Sequence, residues 1–123
     1  METGKKLRID KIVEITDTAA SYGSGLLEVF STPAMIALME KSAHLLAKSM
    51  LDQQLDSVGT EVNIKHLRAT PLNSLVSAEA ELISVDGRKL VFKVSAKDNK
   101  GEIGYGTHIR YIIDPIKFMD KLN

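Results

Sequence analysis

The chain has 123 residues, the usual size of one domain and enough to bury a core without disulfide or metal staples. Its 16 Lys and Arg balance 16 Asp and Glu, so no net field draws it towards nucleic acid or an anionic membrane surface. There is no cysteine, which excludes disulfides, thiolate nucleophiles and cysteine-ligated metal, and leaves an oxygen or a histidine as any side-chain nucleophile.

Met1 to Asp10 alternates charges with single apolar residues and lacks the apolar core of a signal peptide, and no run reaches membrane-spanning length. Neither a linker, a low-complexity tract nor an internal repeat interrupts the chain. The expectation is a single cytoplasmic domain over residues 1–123.

Residues 8–16 (RIDKIVEIT) read as a weak strand, residues 20–25 (ASYGSG) as a loop, and residues 26–30 as a short strand. At Ser31-Thr32-Pro33 the pattern changes. Thr is a favoured N-cap, and Pro is tolerated at the first helical position, where its missing N–H would be unpaired anyway. Residues 34–51 are good helix formers, apolar nearly all round the first two turns, so the helix is expected to be buried and to end near Asp52.

Beyond it the period becomes two-fold. Over residues 58–68, Val58, Val62 and Ile64 share a face with His66; over residues 76–82, Val76, Ala78, Ala80 and Leu82 repeat the arrangement. Asp86-Gly87 is a hairpin signal, because both positions tolerate positive φ. A strand over 89–97 follows, then a turn at 98–101, then a last strand with Ile103, Tyr105, Thr107, Ile109, Tyr111 and Ile113 on one face, ended by Pro115. Residues 116–122 suit a short capping helix.

This order predicts one long apolar helix followed by a meander of four strands. A helix apolar on most sides needs cover on most sides, which a curved antiparallel sheet supplies. The predicted class is therefore α+β, the hot-dog architecture of a long central helix wrapped by a sheet. An open sheet leaves an edge strand exposed, and pairing two edges across a two-fold axis removes that hazard. A homodimer is expected, with further pairing into a tetramer left open.

Polar residues that break these patterns are the candidate site. Glu40 is the only carboxylate between the helix start and Asp52, and a carboxylate beside apolar surface is costly unless it is hydrogen-bonded or useful. The competing reading turns it to solvent beside Lys41. His66 has inward parity, which suits either a hydrogen-bonded core histidine or a catalyst. For Thr32, an N-cap is sufficient explanation. Glu40, His44, His66 and His108 raise a metal site, but the spacing is not HExxH and no second carboxylate shares the helix face, so no metal is expected. The glycines of YGSG and GYGTH do not form a phosphate loop, since the first lacks the following Lys-Ser/Thr and the second sits within a strand.

Residues 29–40 (VFSTPAMIALME), 58–66 (VGTEVNIKH), Ala69-Thr70-Pro71, 85–92 (VDGRKLVF) and 106–110 (GTHIR) together resemble the hot-dog thioesterase family typified by fluoroacetyl-CoA thioesterase. The resemblance runs through residues 16–114. It implies acyl-CoA thioester hydrolysis with a catalytic Thr32, Glu40 and His66, with Gly59 near the thioester carbonyl and Arg110 near the acyl group. It implies no cofactor, CoA entering as part of the acyl-CoA substrate. Glu40 would attack the thioester directly or deliver a water, His66 would move the proton, and Thr32 would orient Glu40. The fluoroacetyl-specific lid carries phenylalanines, whereas residues 20–27 here have none. Two other classes compete: a non-catalytic acyl-CoA binding or sensing protein, which need not retain the three residues together, and a hot-dog hydratase or dehydratase, whose motif is absent.

Overall fold

The computed structural model describes residues 1–123. The long helix α2 spans Thr32–Met50, and its N-cap is Ser31 rather than the expected Thr32. The Ser31 hydroxyl accepts from the Ala34 N–H at 3.1 Å, a cap worth about 1 kcal/mol. Thr32 is thus the first helical residue, and its hydroxyl is not consumed by capping. Ala34, Met35, Leu38, Met39, Ala43, Leu46 and Ala47 form the buried stripe of α2. Glu40, His44 and Lys48, each four residues apart, form a half-buried flank beside it.

Five strands make one antiparallel sheet: β1 (Lys6–Ile12), β2 (Asp56–His66), β3 (Leu75–Asp86), β4 (Lys89–Asp98) and β5 (Gly101–Ile113). Their order is β1-β3-β4-β5-β2, which corrects the expected four-strand meander. Only β3, β4 and β5 run as a meander, because only their junctions are tight turns. The longer segment 67–74 lets β2 cross over and pair with β5, while β1 pairs with β3. Strand β2 is consequently an edge.

Before α2, the expected strand at 26–30 is replaced by isolated bridges from Val29 to Pro71 and from Thr18 to Phe30. The expected loop over 20–25 contains most of a one-turn helix, α1 (Ala19–Tyr22), capped by Thr18 and closed by Gly23 at φ 71°. A last short helix, α3 (Pro115–Asp120), follows β5. No helix is long and apolar enough to cross a membrane.

The stripe of α2 packs on the concave face of the sheet, where Val76, Ala78, Ala80 and Leu82 of β3 and Leu90, Phe92 and Val94 of β4 are all buried as the two-fold pattern predicts. Each large side chain among them contributes roughly 1.5–3 kcal/mol. Strand β5 is different. Its concave face carries Gly104, Gly106, His108 and Arg110, and the apolar face read from the sequence is largely the outer one, with Tyr105 and Tyr111 exposed. Only Ile103, next to a register shift, is fully buried.

Those two glycines are required by close approach. A Cβ on Gly104 would lie 2.6 Å from the Met35 sulfur, and one on Gly106 would overlap the Asn63 carbonyl. Strand β2 also carries a bulge between Gly59 and Glu61. Because side chains alternate, the extra residue reverses the parity: Gly59 and His66 both face α2 although they stand seven positions apart. For the same reason Val58 does not share the face of Val62 and Ile64.

The crossover from β2 to β3 is anchored by Asp98, whose side chain is almost fully buried. It accepts from Arg68 at 2.7 and 3.2 Å, from the Thr70 hydroxyl at 2.8 Å and from the Lys100 N–H at 2.8 Å. Burial by itself would raise the Asp98 pKa, but these donors and the Arg68 charge hold it at about 2. A carboxylate bound more acidic than its free value of 3.8 stabilises the fold above that value and ceases to do so as the pH falls towards 2. Asp98→Asn is expected to cost about 2 kcal/mol at neutral pH, and much less at pH 2 to 3, by denaturant midpoint.

Candidate active site

Two polar clusters lie along α2. At its start, Thr32 Oγ1 and His66 Nδ1 are 2.8 Å apart. Helix and strand meet there because His66 is paired with Gly104, the glycine that admits Met35, one turn beyond Thr32. His66 Nε2 is buried and has no partner within the chain. Burial pushes the His66 pKa below its ordinary value, which favours the neutral imidazole. An open cleft of about 320 Å³ adjoins this pair, lined by Ala19, Ser24, Phe30, Thr32, His66 and Arg68 among others.

Farther along the helix, Glu40 meets a second cluster. A Cβ on Gly59 would stand 2.8 Å from Glu40 Oε2, 3.0 Å from His108 Cε1 and 3.3 Å from an Arg110 terminal nitrogen. The niche over Gly59 is therefore walled by a carboxylate, an imidazole edge and a guanidinium. Glu40 Oε2 lies 3.9 Å from His108 Nε2, outside hydrogen-bonding range, and its side chain keeps 41% of its exposure. The carboxylate is neither sunk in the core nor free in solvent, which lies between the two readings its sequence position allowed.

Arg110 is held by three acceptors. Its Nε donates to Ser57 Oγ at 2.8 Å, one terminal nitrogen to the Ser57 carbonyl at 2.9 Å and the other to His108 Nε2 at 3.1 Å. Burial lowers its pKa, against the opposing fields of Glu40 and Asp56. Beside it, Asp56 accepts from its neighbour's N–H at 2.7 Å and pairs with His44 Nε2 at 2.8 Å, tying β2 to the same flank of α2. Burial would raise the Asp56 pKa, but Ser57 and His44 lower it on balance.

The five residues singled out from the sequence thus fall into two groups, Thr32 with His66 and Glu40 with Gly59 and Arg110. Glu40 lies eight residues beyond Thr32, or about 12 Å of helix at 1.5 Å per residue. Sequence reasoning missed His108 and Ser57 as partners of Arg110. For His108 a signal existed, since it lies two residues before Arg110 and shares its face of β5. Ser57 carried none, because the bulge that turns it inward is not written in the residue pattern. Nowhere do three His, Asp or Glu side chains converge as metal ligands would.

Residues 13–115 match the family model described as FlK, fluoroacetyl-CoA-specific thioesterase. The fluoroacetyl-CoA thioesterase of Streptantibioticus cattleyicolor is 42% identical over 95 residues, 77% of this chain and 68% of that relative. A crystal structure of a fluoroacetyl-CoA thioesterase variant in complex with acetyl-CoA superposes with a TM-score of 0.93 at 35% identity, over 99% of this chain and 96% of the other. A hot-dog-like protein from Thermanaerovibrio acidaminovorans shares the fold, with a TM-score of 0.90 at 23% identity over 99% and 90% of the two chains. The chain is an acyl-CoA thioesterase of the hot-dog fold and belongs to the fluoroacetyl-CoA-specific thioesterase family.

Proposed function

We propose that this domain hydrolyses a small acyl-CoA at a site completed between two copies of the chain, with the Glu40 cluster of one facing the Thr32–His66 pair of the other. The observation that carries this reading is the buried, unpartnered His66 Nε2 beside a Thr32 hydroxyl, about two helical turns from the carboxylate that should serve it. An unsatisfied buried polar atom is costly, and a second copy relieves that cost. Strand β2, which bears both Gly59 and His66, is one of the two sheet edges, the other being β1, and the one through which two copies would pair into a homodimer.

In the reaction, Glu40 takes a proton from a water whose oxygen attacks the thioester carbonyl. The negative charge that develops on the carbonyl oxygen is stabilised by N–H donors near Gly59, with the guanidinium of Arg110 close to the acyl group. The intermediate then expels the CoA sulfur, breaking the C–S bond. The proton passes by way of His66 to the leaving thiolate, and Thr32 keeps the imidazole in orientation. Acid and CoA result, with CoA present only as part of the substrate and no metal or prosthetic group taking part. Both relatives are named for fluoroacetyl-CoA, and the second is a variant with acetyl-CoA bound, which supports a short acyl group. The segment before α2, with Leu26 and Leu27 exposed and no phenylalanine before Phe30, supports an acyl preference other than fluoroacetyl.

Thiol release from a panel of short, branched and aromatic acyl-CoAs identifies the acyl group, and Glu40→Gln is expected to lower kcat at least about 100-fold on the best of them. Mixing unfolded Glu40→Ala and His66→Ala chains and refolding them together tests the shared site. Random pairing would restore about a quarter of native activity, because half the dimers are mixed and one of their two sites is intact. No recovery would confine the three residues to one chain. Gly59→Ala is expected to reduce kcat roughly 10- to 100-fold with little change in melting temperature, because its methyl group would stand 2.8 Å from Glu40 Oε2 and push the carboxylate aside.

A further inference from the structure

The histidine that touches both Arg110 and the Glu40 neighbourhood has no part in the reaction as written above. His108 is only 1% exposed and lies on the concave face of β5, with the Phe92 ring 6.3 Å away, centroid to centroid. Its two nitrogens have different partners. Nδ1 is 2.8 Å from the Glu61 carbonyl, which can only accept, so Nδ1 carries a proton. Nε2 is 3.1 Å from the Arg110 guanidinium, which can only donate, so Nε2 carries a lone pair. The two contacts specify one neutral tautomer without any choice.

Consider what else could hold Arg110 at that point. A carboxylate would pair with the guanidinium and cancel the positive charge that faces Glu40. An imidazolium would repel it and draw Glu40 into an ion pair, since Glu40 Oε2 is already 3.9 Å from Nε2. A neutral acceptor aligns the guanidinium and leaves both charges available to a substrate in the Gly59 niche. The two Ser57 contacts fix one side of Arg110, and His108 supplies the third point that sets its plane.

We propose that His108 is a positioning residue for thioester hydrolysis: as the Nδ1-protonated neutral imidazole, it accepts from Arg110 and holds that guanidinium beside the Glu40 carboxylate over Gly59. The assignment rests on the reading that the Glu40 cluster is half of the active site.

Two substitutions separate this role from a merely structural one. His108→Gln places an amide oxygen near the position of Nε2, keeping an acceptor for Arg110 and losing the bond to Glu61. His108→Asn places an amide nitrogen near Nδ1, keeping the bond to Glu61 and losing the acceptor. The expected result is that Gln retains kcat within about 5-fold, whereas Asn lowers it roughly 10- to 100-fold, the loss of one hydrogen bond to a charged group, with KM changed less than about 3-fold. The reverse order would make His108 a staple between β5 and β2, and equal losses or full activity in both would also overturn the proposal. Glu40→Gln is assayed alongside. Native activity in that variant would bring down the site reading and this assignment with it, whereas activity lost there but intact in both His108 variants would bring down this assignment alone. Should either His108 variant fail to fold, the nitrogen chemical shifts of His108 in the native protein decide: a protonated Nδ1 with a bare Nε2 is expected, and an Nε2-protonated or doubly protonated ring contradicts it.

Discussion

The close approach of α2 to strand β5 at Gly104 is the contact on which the remaining geometry depends. With no side chain at that position, the Met35 thioether drops onto the strand and the first turn of the helix sits directly over the sheet. Gly104 is also the partner of His66 across the β2–β5 ladder, so the contact that seats the helix delivers the Thr32 hydroxyl to the imidazole. A side chain at 104 would have to displace the Met35 thioether and would stand 2.9 Å from the Lys65 carbonyl of β2. Gly106 serves the neighbouring need, allowing β2 to run close against β5 where a methyl group would meet the Asn63 carbonyl.

The second determinant is the bulge at Thr60. A regular strand would place Gly59 and His66 on opposite faces, and one of them would be lost to the outside. One extra residue puts both beneath the same helix, and it turns Ser57 inward to hold Arg110. Bulges near active sites commonly re-aim side chains in this way. Here a single irregularity serves both clusters, since Gly59 opens the niche for Glu40 on one side of it and His66 meets Thr32 on the other.

Electrostatically, the site combines formal charges with neutral imidazoles. Arg110 and Glu40 supply the charge in one cluster, and burial lowers the pKa of His108 beside them and of His66 in the other cluster, favouring uncharged rings in both. For His108, the Arg110 field adds to that lowering, while the Glu61 carbonyl and Glu40 act against it. A neutral ring with one lone pair can orient a cation or receive a proton; a charged one could do neither. Arg68 and Asp98, by contrast, satisfy each other and hold the crossover that delivers β2 to its edge position, with Arg68 also lining the cleft beside Thr32 and His66.

Much of this was legible in the residues. The apolar stripe of α2, the alternation along β3 and β4, and the Asp86-Gly87 turn are local patterns with one physical reading each, and the helix and hairpin follow from them. Glu40 and His66 stood out because each interrupts such a pattern, Thr32 read as no more than an N-cap, and the resemblance of residues 16–114 to a thioesterase family joined the three. The cap at Ser31, the exchange of a meander for the β1-β3-β4-β5-β2 order, and the outward turn of Tyr105 and Tyr111 were decided only in three dimensions. A cap competes between adjacent hydroxyls, and a strand's partner depends on what else needs covering. In β5 the tyrosine face looked apolar and the glycine face empty, yet helix approach selects the emptier one. The separation of the site into two clusters has the same origin, because residue spacing says which side chains share an element and only packing says which of them meet.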